Sequence, residues 1–416
     1  MRKKQLFKKL LPLTFVICAS LLSCDKDEDP KIVDQTLSFD CNNNMISTNT
    51  TLEDIVAGEG VDYIISCPVT IKNNAILTIN PGVTIQFNGA TSGLFVSGDA
   101  GLNAVGTAEK PIKFFGKILG KGSWKGIFFG SNNPANQLAY ATVANAGSEP
   151  EFYSDAKAAV SITTESNNAR ASIINCTITE SAGNGLWVAI GRNLSEFKNN
   201  NFTNNAEAPV ALTFDSFDKL DAASKYKEGN GKQYIDMYGE GPLTGVTINK
   251  DMKVIPLEVP YRISGPVFIE KAVTIEPGTI MEFNPGAQLT TSGLYFETTG
   301  SLNATGTAEN RIVFKGVQGG SGAWIGIEFA SKSPHNKLIY CDIIGGGSEG
   351  TYGNGGDGVG NIVIGNYYDN ECSAVIQNCN IKDSDAAGIA IRTSSTYTSI
   401  ENTFENNKLG DVSAFK

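Results

Sequence analysis

The chain has 416 residues, 41% of them hydrophobic and 18% charged, enough apolar material for a buried core and too much for a disordered chain. Its formal net charge of −10 disfavours nucleic acid and anionic lipid as partners. The single histidine, His335, cannot build a zinc site and no cysteine spacing resembles one, so no metal and no cofactor is expected.

Arg2, Lys3, Lys4, Lys8 and Lys9 precede an apolar run from Leu10 to Leu22, too short for a stable membrane span, so residues 1–23 read as a secretory signal. The run ends in Leu21-Leu22-Ser23-Cys24, which resembles a bacterial lipobox. The resemblance implies cleavage before Cys24, lipid (palmitate among the acyl chains) on that cysteine, and a protein anchored to the outer membrane. The acidic stretch from Asp25 to Asp29 resembles the surface-export tether of Bacteroidetes lipoproteins, and a solvated spacer fits it equally. Loss of residues 1–23 removes five basic and no acidic residues, leaving 28 Lys and Arg against 43 Asp and Glu, a balance of −15.

Residues 24–60 read as a tether and a polar, irregular N-terminal cap. From Val61 onward the chain becomes short β-rich runs broken by Gly, Asn and Pro, without helical periodicity. In the run from Leu77 to Phe87, LTINPGVTIQF, the apolar residues Leu77, Ile79, Val83, Ile85 and Phe87 alternate around Asn80-Pro81-Gly82, a turn in which Pro presets φ and Gly accepts a positive one. Val273 to Phe283, VTIEPGTIMEF, repeats the device. At an offset near 200, SWKGIFF (123–129) returns as AWIGIEF (323–329), NQLAYATV (136–143) as NKLIYCDI (336–343), and AGSE (146–149) as GGSE (346–349). The sequence thus divides into a first half, 61–230, and a duplicate, 231–416.

Within each half a shorter period appears: Ile178 to Phe202 is 24 residues and Ile381 to Phe404 is 23, the signature of a parallel β-solenoid. Cys176 and Asn200, and likewise Cys341, Cys379 and Asn402, fall at equivalent positions and are expected to form a vertical ladder. Cys341 and Cys379 come close enough to bond, with packing as buried free thiols preferred. Cys67 stands where the second half has Gly265, and Cys41 also lacks an equivalent there, so a Cys41–Cys67 disulfide is expected. Between the halves, Phe217, Leu220, Ala223 and Tyr226 recur at threes before Gly229, which predicts a short amphipathic helix over Asp215 to Lys227 that plugs the first solenoid.

PGVTIxF, GxLNAxGTAExPI, WxGIxF and the Asn-rich coils resemble the right-handed parallel β-helix lipoproteins of Bacteroidetes, within the pectate-lyase-like superfamily, over roughly residues 61–215 and 240–416. The resemblance implies an all-β right-handed parallel β-helix; with the duplication and the short connecting helix read above, this is the expected fold. It implies little about chemistry, because such solenoids serve as lyases, hydrolases, adhesins and spacers alike.

Val143 to Ile178 spans 35 residues and Ile343 to Ile381 spans 38, against 23 or 24 for an ordinary coil, so both halves carry a loop at the same station. Glu149, Tyr153 and Asp155 in the first loop and Glu349, Tyr352 and Asp357 in the second are candidate ligand residues. Tyr367 and Tyr368 form a further aromatic patch. A carboxylate beside an exposed ring can hold a sugar, while turn chemistry alone also explains Gly-Ser-Glu. Trp124 and Trp324 fit a structural lid better than a sugar platform, and Trp187 has no tryptophan equivalent. Asp383 and Asp385 are the nearest approach to a catalytic pair; a solvated bend explains them better, and no catalytic residue is assigned. The expected function is a surface-anchored, non-enzymatic binding lipoprotein for a glycan or for an envelope or host surface protein. Its rivals are a β-helix polysaccharide lyase or glycoside hydrolase, and a structural spacer.

Overall fold

The computed structural model describes residues 35–150, 156–163, 165–238, 245–293, 299–351, 358–366 and 371–416. Every strand pairing among them is parallel, and the strands stack into five sheets of a right-handed parallel β-helix. The alternation read from the sequence is the inside of the coil: Leu77, Ile79, Val83, Ile85 and Phe87 are all at most 1% exposed. Gly82 takes φ +94° in the bend between them, and Val83 N–H closes the turn on the Asn80 carbonyl at 3.3 Å.

Each coil visits three faces in turn. Ile112–Gly116 lies on the first face, Gly126–Phe129 on the second and Gln137–Ala139 on the third, and Ala141–Ala144 returns to the first. Only Tyr140 separates the last two, so it must take a left-handed φ of +47°; Tyr340 repeats this at +49°, and Asn175, Asn199 and Asn378 hold equivalent bends at +52° to +53°. Asparagine suits such bends because it tolerates left-handed backbone.

The first face is a seven-stranded sheet from Leu37–Ser38 to Asn201–Thr203, and the third a six-stranded sheet from Thr50–Leu52 to Asn193–Lys198. The second face does not stop at the half boundary. It runs unbroken through fourteen strands from Met45–Ile46 to Thr403–Glu405, with Val210–Leu212 pairing Ile235–Met237 across the junction. Thirteen spacings of about 4.8 Å make a rod of about 60 Å. Two further sheets, from Val246–Ile248 to Val412–Phe415 and from Met252–Val254 to Thr396–Ile400, complete the second half.

The duplicate is turned by one face. The strand Thr84–Phe87 belongs to the first seven-stranded sheet, whereas its equivalent Ile280–Phe283 belongs to the continuous sheet; Gly126–Phe129 lies in the continuous sheet and its equivalent Gly326–Phe329 in the next one round. The cause is the junction. The amphipathic helix expected over Asp215 to Lys227 is instead a six-residue 3₁₀ helix, Phe214–Lys219, packed against Asn193–Lys198, Val246–Ile248 and Met252–Val254. Leu220 already has extended backbone, with ψ 149°. The chain then lies down as an irregular coil, Lys225 bridging Asn201 in parallel and Ser224 Oγ accepting from Asn200 N–H at 2.8 Å. Phe217, Leu220 and Tyr226 do point inward, but Ala223 is exposed, and the second face passes the junction unbroken.

The span expected as an irregular cap also differs: Leu37–Ser38, Met45–Ile46 and Thr50–Leu52 form the first coil, in register with the second. Cys41 and Cys67 are joined by a disulfide, which ties that coil to the next.

Candidate functional site

The two loop stations open with one backbone device. Gly147 N–H donates to Lys125 O and Ser148 N–H to Trp124 O; Gly347 and Ser348 repeat this with Ile325 and Trp324. Both glycines have left-handed φ, +82° and +81°, and a Cβ on either would lie 2.6 Å from a serine Oγ of the next coil, Ser181 or Ser384. The Gly-Ser of each station is therefore a turn. Glu149 and Glu349 are exposed; Glu149 Oε2 is 3.8 Å from Lys125 Nζ, a cation that Ile325 replaces in the second half. Tyr153, Asp155, Tyr352, Asp357, Tyr367, Tyr368 and Cys24 lie outside the described residues.

The turn of the duplicate separates the stations. The first lies between Ala141–Ala144 and Ala158–Ile162, on one edge of the continuous sheet; the second lies between Cys341–Ile344 and Gly360–Ile364, on its other edge. They flank one face rather than line up along one edge, so a ligand bridging both must cross the sheet.

That face can be read along one outward column, in register from Met45 through Thr70, Phe95, Phe128, Ser161, Trp187 and Ala211, and on through Asp236, Arg262, Glu282, Lys315, Ile344, Lys382 and Glu405. Its first half is aromatic and largely covered. Phe95 and Phe128 stack at 4.8 Å with Lys125 Nζ 5.7 Å from the Phe95 ring, and Trp187 stacks on Tyr238 at 5.5 Å. Trp187, the least constrained tryptophan of the sequence, is thus 6% exposed.

The second half of the column is ionic. Arg262 pairs with Glu282 at 2.5 Å and lies over the Tyr234 ring at 3.9 Å, and Lys315 reaches the same Glu282 at 3.3 Å. After Ile344 this pairing stops: neither Lys382 nor Glu405 makes an ion pair with a described residue. Beside them runs a second outward column, Asp342, Asn380 and Thr403, fixed by a hydrogen-bond chain. Arg311 Nε donates to Asp342 Oδ1 at 2.8 Å, Asn380 Nδ2 donates to the same oxygen at 2.6 Å, and Thr403 Oγ1 donates to Asn380 Oδ1 at 2.7 Å. Between the two columns lies a groove of about 280 Å³. Its walls offer an ammonium and a carboxylate without an ion pair among the described residues, an amide, a hydroxyl and the apolar Ile344. Sequence reasoning missed it. Alternation in CDII and NIK marks Asp342, Ile344, Asn380 and Lys382 as outward, but their meeting depends on inter-coil register.

The remaining polar candidates have structural partners. Asp383 holds a left-handed bend at φ +56°, as Glu180 does at +55°, and accepts from Asn406; Asp385 pairs with Lys408. Trp124 and Trp324 are fully buried and donate to Ala144 O and Ile344 O at 2.8 and 2.9 Å. The ladder is formed: Asn200 Oδ1 accepts from Cys176 N–H at 3.0 Å and Asn402 Oδ1 from Cys379 N–H at 2.9 Å. Cys176, Cys341, Cys372 and Cys379 are free thiols in the interior. Burial pushes the Cys176 thiol up to about 12. Burial, reinforced by the nearby Glu328 carboxylate, does the same for Cys372.

Glu328 marks where the duplicate diverged most. It stands where the first half has Phe128, yet it is fully buried and accepts from Thr290 Oγ1 at 2.7 Å. The second half has four more residues between Phe283 and Gly293 than the first has between Phe87 and Gly93. Gln288–Thr290 takes the strand slot that Gly93–Val96 fills in the first half, and Thr291 lies against Glu328 and Ala330.

Residues 47–156 match the model of the pectate-lyase like beta helix domain. With the stacked parallel sheets, this defines the class of architecture: a parallel β-helix whose N-terminal part is similar to pectate-lyase-like domains. Comparison with curated proteins and with solved structures gave no match.

Proposed function

We propose that the chain is a lipid-anchored recognition rod of the outer membrane that holds a glycan without cleaving it. The observation that carries the reading is the groove on the last coils of the continuous sheet, where Asp342, Asn380 and Thr403 repeat one coil apart beside Ile344, Lys382 and Glu405. A coil spacing of about 4.8 Å is close to the length of one sugar residue in an extended chain. Hydroxyls can donate to the carboxylates and accept from the ammonium and amide, while Ile344 meets an apolar ring face. The loop stations at the two edges of the same face would add contacts to a ligand long enough to reach them.

A lyase or hydrolase is the second reading, supported by the similarity of residues 47–156 to pectate-lyase-like domains. A glycan array probed with the chain from Asp25, followed by a reducing-end assay on each hit, separates the two. Retention without new ends, lost in Asn380→Ala/Lys382→Ala, supports recognition. New reducing ends support the enzyme, and silence on every glycan leaves a spacer. Retention lost instead in Tyr153→Ala/Tyr352→Ala would move the site to the loop stations.

A further inference from the structure

Between Ile112–Gly116 and Gly126–Phe129 the fourth coil carries a projecting turn, Lys117-Ile118-Leu119-Gly120-Lys121. Ile118 is 73% and Leu119 85% exposed, the two most exposed large apolar side chains among the described residues, and they are adjacent. The turn is firmly rooted: Lys117 N–H donates to Phe87 O at 2.8 Å, Gly122 N–H to Ala146 O at 3.0 Å and Ser123 N–H to Asn145 O at 2.8 Å. The second half provides an internal control. Val317, Ala323 and Gly322 repeat those roots on Phe283, Gly345 and Gly346, but the tip there reads Gln318-Gly319-Gly320-Ser321. Closing the coil therefore needs neither the aliphatic pair nor the lysines beside it.

The tip is cationic on a chain whose net charge is acidic. Lys113 and Lys125 at its base are neutralised by Glu59 and Glu149, at 3.0 and 3.8 Å. Lys117 and Lys121, which bracket Ile118 and Leu119, are exposed and make no ion pair with a described residue. Screening falls off over about 8 Å at physiological salt, so charges at the tip itself weigh most on a partner seated there.

We propose that this tip inserts into the surface of an anionic lipid bilayer. The aliphatic pair protrudes and has no concave surround, which suits a deformable medium. Two lysines beside two buried aliphatics can place their ammonium groups at headgroup phosphates while their stems follow the apolar chains inward. One such tip binds weakly, and stable attachment takes two signals. The tip is three coil spacings, about 14 Å, from the first coil, and so lies well away from the groove on the last coils.

The test uses the chain from Asp25, which keeps every described strand and has no lipidation site, so its outcome is independent of whether Cys24 is acylated. Flotation with phosphatidylcholine vesicles, with and without phosphatidylglycerol, should give binding only when phosphatidylglycerol is present. Ile118→Ser/Leu119→Ser should lower the partition coefficient about tenfold, and Lys117→Gln/Lys121→Gln about fivefold, with unfolding midpoints unchanged because the tip is solvent-exposed. Absence of binding to either vesicle, binding that does not depend on phosphatidylglycerol, or binding by both double variants equal to that of the unchanged chain, overturns the proposal. Self-association that Ile118→Ser/Leu119→Ser abolishes, without vesicle binding, overturns it in favour of a second copy.

Discussion

In the first half Trp124 stacks on Phe87 at 3.8 Å; in the second Trp324 stacks on Phe283 at 4.1 Å, with the same indole hydrogen bond to the last carbonyl of Ala141–Ala144 or its equivalent Cys341–Ile344. Outside the coil the agreement ends. Phe128 becomes Glu328, Lys125 becomes Ile325, and the tip of Ile118 and Leu119 becomes Gln318 and Gly319. The difference shows where the duplicated sequence is held. Interior positions must stack on the coil above and below, so a change there leaves a void or an unpaired group on both sides. Outward positions answer only to solvent, a covering loop or a partner, so the two halves could diverge there in function without losing the fold.

The largest effect should come from breaking the shared interior. Trp124→Ala and Trp324→Ala each remove a fully buried indole, stacked on the phenylalanine that ends the Pro-Gly strand. Each is expected to cost about 3–5 kcal/mol in urea unfolding, and the two costs should agree closely. A well-tolerated change in only one half would show that the halves are not equivalent inside.

Asparagine replacement should sharpen the comparison along the rod. Asn200 is buried, accepts from Cys176 N–H and donates to Ile173 O at 2.8 Å, so Asn200→Ala strands both groups and should cost about 2 kcal/mol. Asn402 makes the same pair of bonds, to Cys379 N–H and Ile376 O, but on the last coil and half-buried, where water can replace it. Asn402→Ala should cost less than about 1 kcal/mol in the same assay. Hydrogen exchange should place the first loss in the middle of the rod and the second at its end.

Alkali should act through the buried thiols. Cys176 and Cys372 are raised from 9.0 to about 12 by burial, so the unfolded chain loses these protons first as pH rises. Their contribution to stability is complete below about pH 9 and is lost as pH climbs towards 12, at a limiting slope of about 1.4 kcal/mol per pH unit for each thiol. Thiol titration of the folded chain should find both unreactive at pH 9.0, where a free thiol is half ionised. Rapid modification there, with the fold intact, would count against it.

Much of the interior was legible because a solenoid writes its core as a short period. Leu77 to Phe87 announced alternating strands about a bend, and the Cys and Asn positions announced a ladder. What stayed hidden depends on register between coils. Phe217, Leu220 and Tyr226 do face inward, but spacing by threes fits a helical face and also a 3₁₀ turn followed by extended chain. The continuous sheet carries the second face past the junction unbroken. The turn of the duplicate by one face left no local trace, since each half repeats the same frame on whichever face it begins. For the same reason the groove was invisible: Asn380 and Lys382 look like ordinary outward residues until Asp342, Thr403 and Glu405 are laid beside them.

The smallest effect tests whether Glu149 serves the coil or the solvent. Its carboxylate is about half exposed and 3.8 Å from Lys125 Nζ, and the ammonium also lies over the Phe95 ring, which stacks on Phe128. Exposed pairs of this kind contribute at most about 1 kcal/mol, so Glu149→Gln should leave the unfolding midpoint almost unchanged. Lys125→Ala should cost slightly more, because its stem and charge cover an aromatic ring as well as meeting the acid. The natural experiment is already in the chain: Ile325 replaces Lys125 in the second half, where Glu349 keeps its place without that partner. If Glu149→Gln proves as costly as Lys125→Ala, the acid belongs to the packing of the first half. If it is neutral, both glutamates are held only by the Gly-Ser turn before them, and Glu149 is free to exchange its lysine for a ligand.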